Sequence, residues 1–336
     1  MKKEGLSAGV RAIPTLKRNK RPRTGGVKEY LKSHWLMYLM VLPGVLSLGI
    51  FSYGPMFGIL LAWKNYSPVL GFFDSPWVGW ENFTTTLTSY GFWNLVNNTL
   101  ILGVLKMIFA FPASIVLALM FNELTGKVFK RVCQTISYLP YFISWVVISS
   151  MLYMLLNTDY GLINNFLLKL GVFESSTDFI QWYAEPKYWR FILTFMSAWK
   201  STGWGTIVFL AGIAAISPEL YEAAEIDGAN RWKQALYITL PGISSIIGIT
   251  FCLSVSSIVK DDFDMIYCLI GNNSLLHPVA DVLGTWNYRQ LKGGFKGWGA
   301  ATAVALLQAV LSLLLMWIAD LVVRKTGNPS LFGDNI

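Results

Sequence analysis

SPELYEAAEIDGANRWKQALYITLP, residues 217–241, is a polar interruption between two long apolar runs, and its reading decides how the rest of the chain is laid out. The stretch is written as two short helices. Ser217 suits an N-cap, Pro218 the first helical position, and Glu219 the first turn, where a carboxylate offsets the helix dipole. Gly228 supplies the positive φ that ends one helix and starts the next. Pro241 marks a boundary before the apolar sequence resumes. An ordered, amphipathic, acidic loop between apolar runs is a docking surface.

The bulk composition says what surrounds it. Of 336 residues 54% are hydrophobic and 14% charged, and mean hydropathy is +0.48. That is too apolar for a water-soluble domain of this size and indicates an all-α, polytopic membrane protein. Fourteen Trp, fifteen Tyr and twenty-one Phe suit aromatic belts at the two membrane surfaces. Cys133, Cys252 and Cys268 are too widely spaced for a metal site and odd in number, so they read as packing residues.

Six segments are long enough to cross about 30 Å of hydrocarbon: residues 35–63, 94–121, 132–156, 189–216, 242–259 and 299–323. Residues 1–32 carry ten Lys/Arg against two Glu and form a basic tail; residues 33–336 form the transmembrane domain. Placing the N-terminus inside puts seventeen basic residues on the cytoplasmic side and eight outside, so both termini are expected in the cytoplasm. The net charge of +8 therefore faces anionic lipid rather than nucleic acid. The 217–241 loop falls on the same side but opposes its charge, with Glu219, Glu222, Glu225 and Asp227 against Arg231 and Lys233.

Within the loop, Glu222-Ala223-Ala224, Gly228, Ile238, Leu240 and Pro241 spell EAA-x3-G-x9-I-x-L-P. This resembles the cytoplasmic signature of the permease subunits of bacterial ABC importers, with every fixed position present. VGWENF at 78–83, YLPYFISWVV at 138–147, DGA at 227–229 and FDMIYCLI at 263–270 resemble the carbohydrate-uptake branch, most closely its permeases for oligosaccharides. The resemblance implies coupling helices seated on a cytoplasmic ATPase. Glu222, Ala223, Ala224, Asp227, Gly228, Leu240 and Pro241 would make that contact, with the small alanines admitting close approach and Gly228 setting the angle between helices. It also implies a second permease, two ATP-binding subunits that hold ATP and magnesium, and an extracytoplasmic solute-binding protein, in a bacterial inner membrane. The chain itself has no G-x-x-x-x-G-K-[ST] and no H-E-x-x-H, so neither an ATPase nor a zinc hydrolase is expected, and no cofactor of its own.

Two lysines stand out inside the spans. Lys106 and Lys200 come out roughly 16–18 Å deep, near the midplane, where a lysine costs about 2.5–3.5 kcal/mol. With no Asp or Glu in the six span cores, no intrachain carboxylate is expected to neutralise them. A water-filled path, a carboxylate of a partner subunit, an anionic substrate, or bonding to backbone in a hydrated cavity remain open. On the functional reading Lys106, Tyr141, Trp199, Lys200 and Trp204 line a path for an oligosaccharide, an acidic one included. Gly203 and Gly205 read as close helix packing ahead of cavity lining, and Pro140 as a kink that serves either a gate or packing. The competing classes are an ion-driven secondary transporter, disfavoured by the missing intramembrane acids, and a non-transporting scaffold.

Overall fold

The computed structural model describes residue 31, residues 34–327 and residue 331. The basic tail expected over residues 1–32 lies outside the described residues apart from Leu31. Among the described residues the chain is helical with no strand, and only two isolated bridges form, Lys64 with Trp77 and Ser67 with Gly71.

The chain divides into two compact units, one ending at Phe57 and one running from Gly58. In the first, helix α1 (Trp35–Leu48) passes into a π turn at Gly49–Tyr53. None of its residues is buried. A helix apolar all round and exposed all round is one whose solvent is lipid or another apolar helix.

The second unit contains α2 (Phe92–Glu123), α3 (Lys127–Phe142), α4 (Trp145–Leu156), α5 (Trp189–Ala214) and α6 (Pro218–Ile226). These are followed by α7 (Arg231–Gly242), α8 (Ser244–Ser256), α9 (Phe263–Ile270), α10 (Leu283–Lys292) and α11 (Lys296–Lys325). Three helices, over Trp35–Trp63, Phe92–Glu123 and Gly297–Lys325, are each long and apolar enough to cross a membrane. Three bent pairs, α3–α4, α5–α6 and α7–α8, bring the number of spans to six if each pair counts as one.

Two of the bends, α5–α6 and α7–α8, fall at the two ends of the 217–241 element, and the third is a sharper form of the kink expected at Pro140. α3 and α4 meet at 97°. The helix runs through Pro140 and breaks at extended Ile143, where Ser144 starts α4 by accepting from the Val147 N–H at 3.4 Å. The expected boundary at Pro241 also moves. A π turn at Ala235–Thr239 widens the helix just ahead of the proline, so the ring is carried inside α7. The break comes at Ile243, with a 66° bend. α8 then has only 13 residues, about 20 Å of helix, too short to cross alone.

Lipid is as apolar as a leucine side chain, so helix pairing here rests on close packing. α2 and α5 form the central pair, and α3 lies against α5 where Gly203 faces the Ser137 backbone; a Cβ at Gly203 would overlap the Ser137 carbonyl. Gly203 therefore serves packing, as read from the sequence. Trp189 is fully buried beside Leu193, Leu152 and Met265, with its indole N–H donating to the Trp182 carbonyl at 2.7 Å. The segment 260–298, expected as an outer loop, carries α9 and α10. α9 buries Met265, Ile266, Leu269 and Ile270 in this core.

Candidate functional site

The 217–242 element is closed by local chemistry. α6 begins after extended Ser217 with Pro218 in its first turn, although the Ser217 side chain makes no capping hydrogen bond. Its C-terminus is a Schellman turn: the Ala229 N–H donates to the Ala224 carbonyl at 2.8 Å and the Gly228 N–H to Glu225 at 3.1 Å. Gly228 has φ +75°, the left-handed conformation expected of it, and no heavy atom lies within 4 Å of where a Cβ would sit. Asn230 then caps α7, accepting from the Lys233 N–H at 2.9 Å. The Tyr221 and Thr239 hydroxyls, 2.9 Å apart, join α6 to α7.

The element is held on the body and left open on its other side. The Arg231 guanidinium donates to Glu123, at the end of α2, at 2.8 Å, and this hydrogen bond raises its pKa further above the ordinary arginine value. Glu222, Ala223, Glu225 and Asp227 are exposed, as are Ile226 at 88% and Trp232 at 80%. Two large apolar side chains fully presented beside three carboxylates form a surface suited to a partner. Of the residues expected there, Leu240 is half-buried and Pro241 exposed within α7.

The lysines occupy a second site. A cavity of about 380 Å³ opens between α2, α5, α8 and the segment 257–262. Six hydroxyls line it: Ser114, Ser197, Ser201, Thr250, Ser254 and Ser257. Four of them donate to carbonyls of their own helices, for example Ser201 to Ser197 at 2.7 Å and Ser254 to Thr250 at 2.8 Å, and Ser257, just past α8, donates back to the Ser254 carbonyl. Their lone pairs remain to accept, which suits a guest rich in hydroxyl donors.

Lys106 lines this cavity, and it is paired. Its Nζ lies 2.8 Å from Asp262 Oδ2. The expectation that no intrachain carboxylate reaches it is therefore wrong. The helical part of the fifth span stops at Ser256, and the irregular segment that follows lies against the middle of α2, bringing Asp262 to Lys106. Gly103, one turn earlier, permits the approach, since a Cβ there would overlap the Ile258 carbonyl.

Lys200 is occupied too, in another way. Its Nζ donates to the carbonyls of Pro140 at 3.3 Å, Tyr141 at 2.9 Å and Ile143. The ammonium thereby caps the break at the end of α3, where the Pro140 carbonyl also accepts from the Ile143 N–H at 3.2 Å. The Trp145 ring lies 5.2 Å away, adding a cation–π contact. Trp204 lines the cavity with Tyr141 stacked on it at 4.5 Å. Trp199 is not brought to this group: it lies about 200° round α5 from cavity-lining Ser197 and is exposed. Sequence reasoning missed Asp262 and the hydroxyl lining. Lys260-Asp261-Asp262 is a charged run in the sequence, but it follows the apolar segment 242–259, and a continuous helix over that segment would end before it.

The sequence profile of a family described as "Binding-protein-dependent transport system inner membrane component" matches residues 110–328, well over half the chain. The chain belongs to this family. As a binding-protein-dependent inner membrane component it is part of a transport system and not a catalytic enzyme. It is 38% identical over 302 residues to Protein LplB of Bacillus subtilis, spanning 90% of this chain and 92% of that one. It is 36% identical to the polygalacturonan/rhamnogalacturonan transport system permease protein YteP of the same organism, over 88% and 90% of the two chains. A crystal structure of a bacterial ABC transporter involved in importing the acidic polysaccharide alginate superposes with a TM-score of 0.79 at 34% identity. That match covers 89% of this chain and 98% of the other. The family match spans the whole 217–242 element and most of the cavity-lining positions.

Proposed function

We propose that this chain is the membrane-spanning permease subunit of an ATP-driven importer of oligosaccharides, acidic ones among them. The hydroxyl-lined cavity at Lys106 and Trp204 is its translocation path. The observation that carries the reading is the capped two-helix element over residues 217–242, held to α2 by Arg231–Glu123 and presenting Glu222, Ile226 and Trp232 outward. Partner ATPase subunits, which bind ATP and magnesium, dock there. Closure of the ATPase pair moves this element, and with it the bent pairs α5–α6 and α7–α8, between two discrete arrangements. Both chain termini and the coupling element face the cytoplasm, a placement supported by the excess of basic residues on that side. A second, distinct permease and a solute-binding protein complete the transporter, the latter meeting the opposite face. The relatives that move polygalacturonan and alginate support the substrate class.

Missing intramembrane acids no longer argue against an ion-driven transporter, because Asp262 sits in the cavity wall. Membership of a binding-protein-dependent family disfavours it instead. The test is ATP hydrolysis by the complete transporter in liposomes with and without sugar-loaded binding protein. Stimulation with concurrent uptake is expected, and hydrolysis indifferent to both additions would refute the reading.

A further inference from the structure

The Lys106–Asp262 pair sits in a built frame. Asp261, next in the chain, is tied down on two sides: it accepts from the Gly284 N–H at 2.6 Å and from the Gln308 side chain at 3.4 Å. Gln308 also donates to the Val259 carbonyl at 3.1 Å. The backbone leading to Asp262 is thus pinned to α10 and α11, while Gly103 fixes its distance from α2. Within that frame the two partners differ. The Lys106 side chain is 14% exposed, whereas that of Asp262 is 47% exposed. The cation is held in the wall and its carboxylate partner is open to the cavity.

The charge balance points to a ligand. Two lysines, Lys106 and Lys260, and one carboxylate, Asp262, line the cavity, while the Asp261 carboxylate is held behind the wall by Gly284 and Gln308, near enough to feel the charge of Lys106. Lys260 has no ion pair among the described residues. A cavity whose lining offers two ammonium groups, hydroxyl acceptors and an indole suits a sugar that carries a carboxylate. Such a group is chemically what Asp262 already presents to Lys106.

We propose that Asp262 is a resident stand-in for a substrate carboxylate. A uronate unit of the entering chain displaces it from Lys106, and this exchange sets the preference for acidic over neutral oligosaccharides. The inference rests on the permease reading above and names its specificity-determining pair. It also states a competition: removing Asp262's charge should help acidic cargo, whereas a merely structural ion pair would suffer from losing either partner.

The test is concentration-dependent uptake of a short oligogalacturonate and of its uncharged methyl ester, by proteoliposomes holding the complete transporter and loaded binding protein. Lys106→Gln is expected to raise the half-saturating concentration of the acid roughly tenfold to a hundredfold, the worth of a charge-assisted hydrogen bond, and to shift that of the ester far less. Asp262→Asn is expected to lower that concentration for the acid alone. The double variant K106Q/D262N keeps a hydrogen-bonding pair of the same shape, so it guards against a folding defect. It is expected to carry acid and ester alike. Shifts that affect both substrates equally in the single variants, or recovery of acid preference in the double variant, would overturn the inference and leave the importer reading intact. A wild-type transporter that takes up neither sugar would overturn the importer reading, and this inference with it.

Discussion

Replacing Gly228 tests the coupling element through its backbone alone. The residue has φ +75° with open space where a Cβ would go, so Gly228→Ala introduces no clash and only strain. An L-residue in the left-handed region costs about 1–2 kcal/mol, which corresponds to a factor of roughly 5–30 in the population of the native turn. The two Schellman hydrogen bonds, at 2.8 and 3.1 Å, resist unwinding but do not relieve the strain. Because α6 is exposed, the cost falls on the angle between α6 and α7 and not on the core. Gly228→Ala is therefore expected to assemble normally and to lose several-fold in binding-protein-stimulated ATP hydrolysis and in uptake. Gly228→Asn should fall between it and wild type, since asparagine tolerates this conformation better. Both activities are read in proteoliposomes, with assembly checked by gel filtration. Full activity in Gly228→Ala would refute the reasoning, and so would Gly228→Asn behaving no better than alanine.

Three further outcomes are expected. Gly203→Ala places a methyl on the Ser137 carbonyl at the α3–α5 contact, an overpacking worth about 1–3 kcal/mol, seen as a lower thermal midpoint of the purified complex. Lys200→Met leaves the Tyr141 and Ile143 carbonyls at the end of α3 without the ammonium, at about 1–3 kcal/mol for each group left unsatisfied, so uptake of acidic and neutral sugars should fall together, unlike in Lys106→Gln. Trp232→Ser removes a side chain that is 80% exposed, so the thermal midpoint should hold, while the ATPase subunits are lost on affinity purification.

The parts legible in the sequence are those written in local code. Gly228, Asn230 and the proline at 218 specify their turns through side chains and dihedrals a few residues apart, so α6 and the start of α7 follow from local sequence, whereas the end of α7 runs past the expected boundary at Pro241. Hydropathy likewise locates α2 and α11, whose apolar runs are continuous. What was not legible depends on contacts between distant segments. The break at Ile143 is stabilised by Lys200, 57 residues away, and nothing near Ile143 announces it. Asp262 meets Lys106 across 156 residues, and only because the chain after Ser256 leaves the helix and turns inward. A rule that counts 1.5 Å per residue along an unbroken span puts that aspartate outside the membrane. Trp199 lies outside the cavity lining for a simpler reason: depth along a helix does not fix the azimuth of a side chain.

The central claim, that residues 217–242 seat on an ATPase, is tested most directly by a photo-crosslinking residue at Ala223, introduced into the complete transporter. The account predicts an adduct with the ATP-binding subunit from Ala223 and none from a control at Tyr90, which is fully exposed and lies between the first two expected spans, a segment that a cytoplasmic N-terminus puts on the opposite face. An adduct between Ala223 and the solute-binding protein, or an ATPase adduct from Tyr90 alone, would contradict it.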